Sequence, residues 1–205
     1  MGAVEVKQTD PSSNSTTGAK LTQNAGSGNS SPAAATSTGS RLPIDCGDLD
    51  MRIARDGTWF YRGSPIGRLP LVKLFASVLR REEDGRYWLV TPAERGRVEV
   101  DDVPFLAVAV TVEGEGRDQR LIFRTNLDEF VTAGPDNPVR VETAASGEPA
   151  PYILVRDALE ARLTRPVFYE LVELGTEEPS GETTQFGVWS RGVFFRLGEP
   201  APVWE

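Results

Sequence analysis

A chain of 205 residues with 22 Lys and Arg against 30 Asp and Glu carries a net charge of −8, and it contains no histidine and one cysteine. An acidic chain without a Lys/Arg run is a poor electrostatic match to nucleic acid or anionic lipid, and the missing histidine removes the usual general base near neutral pH and the commonest metal ligand. Cys46 has no partner for an internal disulfide, which fits a reducing compartment.

The first 43 residues are mostly Ser, Thr, Gly, Ala and Asn, with few large apolar side chains beyond Val4, Val6, Leu21 and Leu42. Such a stretch cannot bury enough apolar surface to offset the entropy of ordering it, so 1–43 is expected to be a disordered low-complexity tail. It holds three cations and two anions, which leaves −9 on the rest. No apolar run marks a secretion signal or approaches the ~20 residues of a membrane helix. Val6 stands where a myristoylation motif wants Ser or Thr, and a soluble cytoplasmic protein is expected.

Structure is expected to begin near Ile44. Met51 to Arg55 alternates as a strand and pairs across Asp56-Gly57, a hairpin dipeptide, with the aromatic strand Thr58 to Tyr61. Gly63-Ser64-Pro65 turns the chain again, so Trp59 and Tyr61 share one face and Phe60 takes the other. From Leu69 to Arg81, Leu71, Val72, Leu74, Phe75, Val78 and Leu79 recur at helical spacing. Strands follow at Arg86–Thr91, Arg97–Val100, Phe105–Val112 and Arg120–Thr125, with turns at Glu82–Gly85 and Arg95-Gly96. Phe105–Val110 is apolar on both faces and reads as a central strand, with Gly114-Glu115-Gly116 as its exposed tip and a short strand after Asn126.

The polar stretch Ala144–Pro151 reads as a junction between an N-terminal domain, 44–146, and a C-terminal domain, 147–205. Beyond it come a strand at Tyr152–Val155 and a short helix from Asp157 to Arg162. Pro166 then opens a helix that Gly175 stops; its Val, Phe and Tyr also suit a strand, and the capping signals favour helix. The acidic loop Glu177–Glu182 precedes a last hairpin, Phe186–Ser190 and Val193–Leu197, turning at Arg191-Gly192. Helix, acidic loop, strand with Trp88, turn and strand are echoed by helix, acidic loop, strand with Trp189, turn and strand, which raises duplication as one reading.

Several blocks carry a family likeness: Gly57–Ile66, Val103-Pro104-Phe105, Thr125-Asn126-Leu127, Arg165–Leu171, Gly187–Ser190 and Gly192–Phe195. Over about Asp45 to Gly198 the sequence resembles the bacterial domain-of-unknown-function family 1285. The resemblance implies an α+β fold of two similar small antiparallel-sheet-plus-helix halves packed together, the C-terminal half superficially pleckstrin-homology-like. It also implies a groove between halves suited to a nucleotide-like ligand and a role in signal transduction. No catalytic residues come with it, and no cofactor or metal is expected.

The candidate ligand residues fall into two groups. Trp59, Tyr61, Arg62, Ser64 and Arg68 offer an aromatic platform with guanidinium and hydroxyl donors for a phosphate; read without a ligand, the aromatics fill a core and the arginines sit in solvent or in ion pairs. Arg165, Tyr169, Trp189 and Ser190, with Arg191 beside them, form the analogous group, or plain helix-start and turn chemistry. Thr125 and Asn126 offer hydrogen bonds at a strand end, or make an Asx-type turn. Asp45, Asp48 and Asp50 lack the spacing of a calcium loop and read as a solvated strand lead-in. The expectation is a non-enzymatic binding or sensory protein whose Arg62, Arg68 and Arg165 converge on one crevice. The alternative is a protein-interaction module, and a carboxylate hydrolase is third; nucleic-acid and membrane partners are not expected.

Overall fold

The computed structural model describes residues 43–144, 147–181 and 183–198. The expected tail lies outside the described residues except for Pro43.

The first sheet grows from the hairpin that Asp56-Gly57 dictates. Strands β1 (Ile44–Ile53) and β2 (Trp59–Tyr61) pair antiparallel with Ile53 opposite Trp59, and Gly57 takes φ 80° in the turn between them. Arg62 and Gly63, both in the left-handed region, turn the chain into β3 (Ser64–Pro65), the pattern of a two-residue hairpin loop. Helix α1 (Leu69–Ser77) follows, with a proline in its first turn, and then β4 (Leu79–Arg81), β5 (Tyr87–Val90) and β6 (Glu94–Val100). The sheet runs β3-β2-β1-β6-β5-β4, with β1 and β6 parallel.

The second sheet is built on the same plan. It takes β7 (Phe105–Glu113), β8 (Arg120–Thr125), β9 (Phe130–Thr132), β10 (Val139–Thr143), β11 (Pro149–Arg156) and β12 (Leu159–Leu163), in the order β10-β11-β12-β7-β8-β9. In both sheets two three-stranded antiparallel runs meet where the first strand lies parallel to the last, β7 against β12 in this case. Helix α2 (Arg165–Glu173) leads into a three-stranded sheet of β13 (Thr176–Ser180), β14 (Thr183–Ser190) and β15 (Val193–Gly198), whose β15 lies beside β10. Three strands, a helix and three strands therefore occur twice, each time with the outer strands adjacent. The fold is α+β and duplicated, as the sequence echo suggested.

One apolar cluster spans the sheets: Ile53, Trp59 and Leu79 from the first, Phe105, Phe123 and Ile153 from the second, Leu171 from α2 and Val188 from the third. The boundary expected at 146/147 falls between β10 and β11, which pair as a hairpin. The chain passes from the first sheet to the second at residues 101–104, because β7 to β12 form one hydrogen-bonded sheet.

Four local expectations are corrected. The helix expected over 69–81 ends at Ser77, and Arg80 and Arg81 pair instead with Trp88 and Tyr87. Arg95 and Gly96 lie within β6, where a side chain on Gly96 would collide with Leu49; the turn sits earlier, closed by the Thr91 N–H to Glu94 carbonyl bond. The short helix at Asp157–Arg162 is a hairpin, since Asp157 and Ala158 take φ 45° and 61° and Leu159, Ala161 and Leu163 alternate into the core. The acidic loop at 177–182 is largely β13, paired with β14.

Candidate functional site

A cleft of about 400 Å³ opens where the two halves meet, lined by Arg55, Leu106, Glu148, Arg162, Arg165 and Tyr169 among others. The hairpin tip between β1 and β2 supplies Arg55. That tip is seated on the second sheet at Gly57, where a Cβ atom would stand 2.6 Å from the Asn126 side-chain nitrogen and 3.3 Å from Leu106. Asn126 in turn fixes Leu106, accepting its N–H at 3.1 Å and donating its own backbone N–H to its carbonyl at 2.8 Å.

Arg162 projects from β12 and donates to Asp102 at 2.7 Å; Tyr152 donates its hydroxyl to the same carboxyl at 3.1 Å, and Arg55 lies 3.9 Å from it. Burial, reinforced by Asp102, pushes the Tyr152 hydroxyl up from its ordinary value, so it stays a proton donor. Arg165 opens α2 and meets Glu148 at 2.9 Å across the cleft mouth, and its side chain is 75% exposed. No side chain caps the N-terminus of α2 at Thr164, which also lines the cleft. Phe168 and the exposed Tyr169, one turn on, line it together with Pro149 and Pro151. Three guanidinium groups thus face two carboxylates, beside apolar and aromatic surface, which suits an anion carrying a ring.

Of the expected ligand residues, this cleft holds Arg165 and Tyr169. Arg62 and Tyr61 line a different groove, about 550 Å³, with Leu49, Met51, Ile66, Leu71 and Phe75. Arg62 lies 4.0 Å from Asp50 there, with its guanidinium over the Tyr61 ring. Arg68 is exposed at the start of α1 and lines neither, and Ser64 is exposed on the edge strand β3. The convergence expected of Arg62, Arg68 and Arg165 is therefore not observed.

The remaining candidates are structural. Trp59 is 2% exposed and stacks on Phe75. Thr125 is fully buried and its hydroxyl accepts the N–H groups of Leu127 and Glu129. Trp189 donates to Glu178 at 2.8 Å beneath the Arg117 guanidinium, and Ser190 is enclosed in the core. Arg55 and Arg162 went unrecognised in the sequence because nothing local to either one says that β12 lies parallel to β7. Asp45 and Asp48, both held below the ordinary carboxylate range, chiefly by the Gly47 N–H and by Arg97 respectively, are engaged within the chain. Among the described residues no Cys/Asp/Glu group is placed to hold a metal ion, and no helix is long and apolar enough to cross a membrane.

Residues 41–103 match the model of the N-terminal domain of unknown function DUF1285, and residues 104–197 that of the DUF1285 C-terminal domain. The crystal structure of a DUF1285 family protein from Silicibacter pomeroyi is similar with a TM-score of 0.71 and 52% identity, over 76% of this chain and 82% of that one. One from Shewanella baltica gives a TM-score of 0.48 and 26% identity, over 62% and 91%. No curated protein matches.

Proposed function

We propose that this chain, which belongs to the DUF1285 family, is a binding protein and not an enzyme, taking a small anionic, nucleotide-like molecule into the cleft between its halves. The observation that carries this reading is the gathering of Arg55, Arg162 and Arg165 on one cleft of an otherwise acidic chain. Phosphate recognition draws on the planar fork of arginine, and Tyr169 and Phe168 offer a face to a ring. Binding there bridges the halves and serves a sensory role in signal transduction. A cytoplasmic setting accords with Cys46, which is free and exposed.

The test is a thermal-shift panel of nucleoside mono-, di- and triphosphates. A ligand at 100 times its Kd adds about 2.7 kcal/mol of stability. R165Q and Y169A, both at exposed positions, abolish the shift, while R62Q leaves it. Flat melting curves across the panel at millimolar ligand overturn the nucleotide reading.

A second reading, a protein-interaction surface, is favoured by the apolar groove beside α1, where Tyr61 and, nearby on the helix, Leu69 and Leu74 are exposed. It predicts a specific partner that is lost on Tyr61→Ala or Leu74→Ser and retained in R165Q.

A further inference from the structure

A second cleft, about 550 Å³, lies elsewhere on the junction of the halves. The end of α1 and the start of β4 supply Lys73, Ser77 and Arg80; the β8–β9 turn supplies Asp128 and Glu129; the β11–β12 turn supplies Asp157. Its floor is apolar, made by the buried Ala76 and Leu127.

Most of its charges are spoken for. Lys73 donates to Asp128 at 2.8 Å, with Arg124 on the other oxygen at 3.2 Å. Arg156 donates to Glu129 at 3.1 Å and to the Ala76 carbonyl at 2.9 Å. Two charges differ. Arg80 donates only to the Ser77 and Leu79 carbonyls, through one nitrogen, and has no carboxylate partner among the described residues. Five N–H donors belong to a guanidinium, so most of its capacity faces out. Asp157, exposed at its hairpin tip with φ 45°, has no hydrogen-bond or cationic partner among the described residues. A cation without a carboxylate partner and an anion without a hydrogen-bond or cationic partner among the described residues thus share one cleft over an apolar floor.

We infer that this cleft binds a small zwitterion of amino-acid or dipeptide size, its carboxylate on Arg80, its ammonium on Asp157 and its aliphatic part over Ala76 and Leu127. Such a molecule answers Arg80 and Asp157 at once and leaves the four ion-paired groups that line the cleft undisturbed. Its volume falls within the range of small-molecule sites. The inference is independent of the arginine cleft.

The test is calorimetric titration of the full chain with free L-amino acids and aliphatic dipeptides, each set against its single-charge analogues: leucine against isocaproate and isoamylamine. The expected result is heat of binding from at least one zwitterion and none from either analogue. R80Q and D157N each weaken it about tenfold or more, the effect of losing a charged hydrogen bond. R80K retains part of the affinity and R165Q all of it, with circular dichroism confirming that each variant is folded. The inference is overturned if no zwitterion binds at millimolar concentration, if an analogue binds as well as its parent, or if binding survives both R80Q and D157N.

Discussion

Ser190 shows how a residue that looks like a ligand donor in sequence becomes part of the frame. Its hydroxyl accepts the Leu121 N–H at 3.0 Å and donates to the Ala133 carbonyl at 2.8 Å, tying β14 to the second sheet at a point with no access to solvent. A serine beside a Trp and an Arg-Gly turn reads equally as a surface donor, and only burial decides between the two. S190A leaves both partners unsatisfied and should cost about 1–3 kcal/mol, seen as a lowered urea midpoint with an unaltered m-value. The response to nucleotides, measured at saturating ligand, should persist. Thr125 and Asn126 follow the same logic, being committed to the turn after β8 and to the Leu106 backbone.

Among the elements, the β14–β15 hairpin was readable and its packing was not. Arg191 and Gly192 adopt φ 51° and 74°, as the turn dipeptide implies. Gly187 gives no comparable signal, yet a Cβ there would run into the Phe195 carbonyl and the Phe194 ring. G187A should therefore displace β15 and cost about 1–3 kcal/mol, the usual effect of overpacking, measured by chemical denaturation. Strand β13 was missed for a related reason. It is an edge strand, rich in carboxylates and carrying Pro179; charge and proline are how such edges avoid pairing with other chains, so the apolar alternation that betrays a strand is absent. In α1 the apolar periodicity ran through Leu79, but pairing of Leu79, Arg80 and Arg81 with β5 took precedence over helix continuation.

At the scale of the molecule, ion pairs hold both the connection and the contact between halves. Arg52 grips Asp101 through two hydrogen bonds at the passage between sheets, and Lys73 on α1 reaches Asp128 on the β8–β9 turn. Arg52 holds the Asp101 carboxyl below the ordinary carboxylate range, and Lys73, then Arg124, do so for Asp128. Groups shifted in this direction stabilise the fold above the unfolded aspartate value, about pH 3.9, and that contribution is lost as pH falls through the lower folded values. Acid titration of the melting temperature should show a decline below about pH 4 that is shallower in D101N and in D128N. Both pairs are exposed enough that added salt should weaken them.

Read alone, the sequence settled most of the hairpin turns, the starts of α1 and α2, and the family. These depend on residues adjacent in the chain: Asp56-Gly57 and Arg191-Gly192 supply left-handed backbone, and Pro166 fits only the first turn of a helix. It also carried the duplication, as an order of elements. What tertiary structure alone decided is which side chains share a cavity. Asp157-Ala158 satisfies a helix cap or a hairpin tip equally well until Leu159, Ala161 and Leu163 find the core. The gathering of Arg55, Arg162 and Arg165 depends on the parallel contact of β12 with β7 and on the seating of Gly57 against Asn126. Both join residues far apart in sequence, held by burial and backbone pairing that no local pattern records.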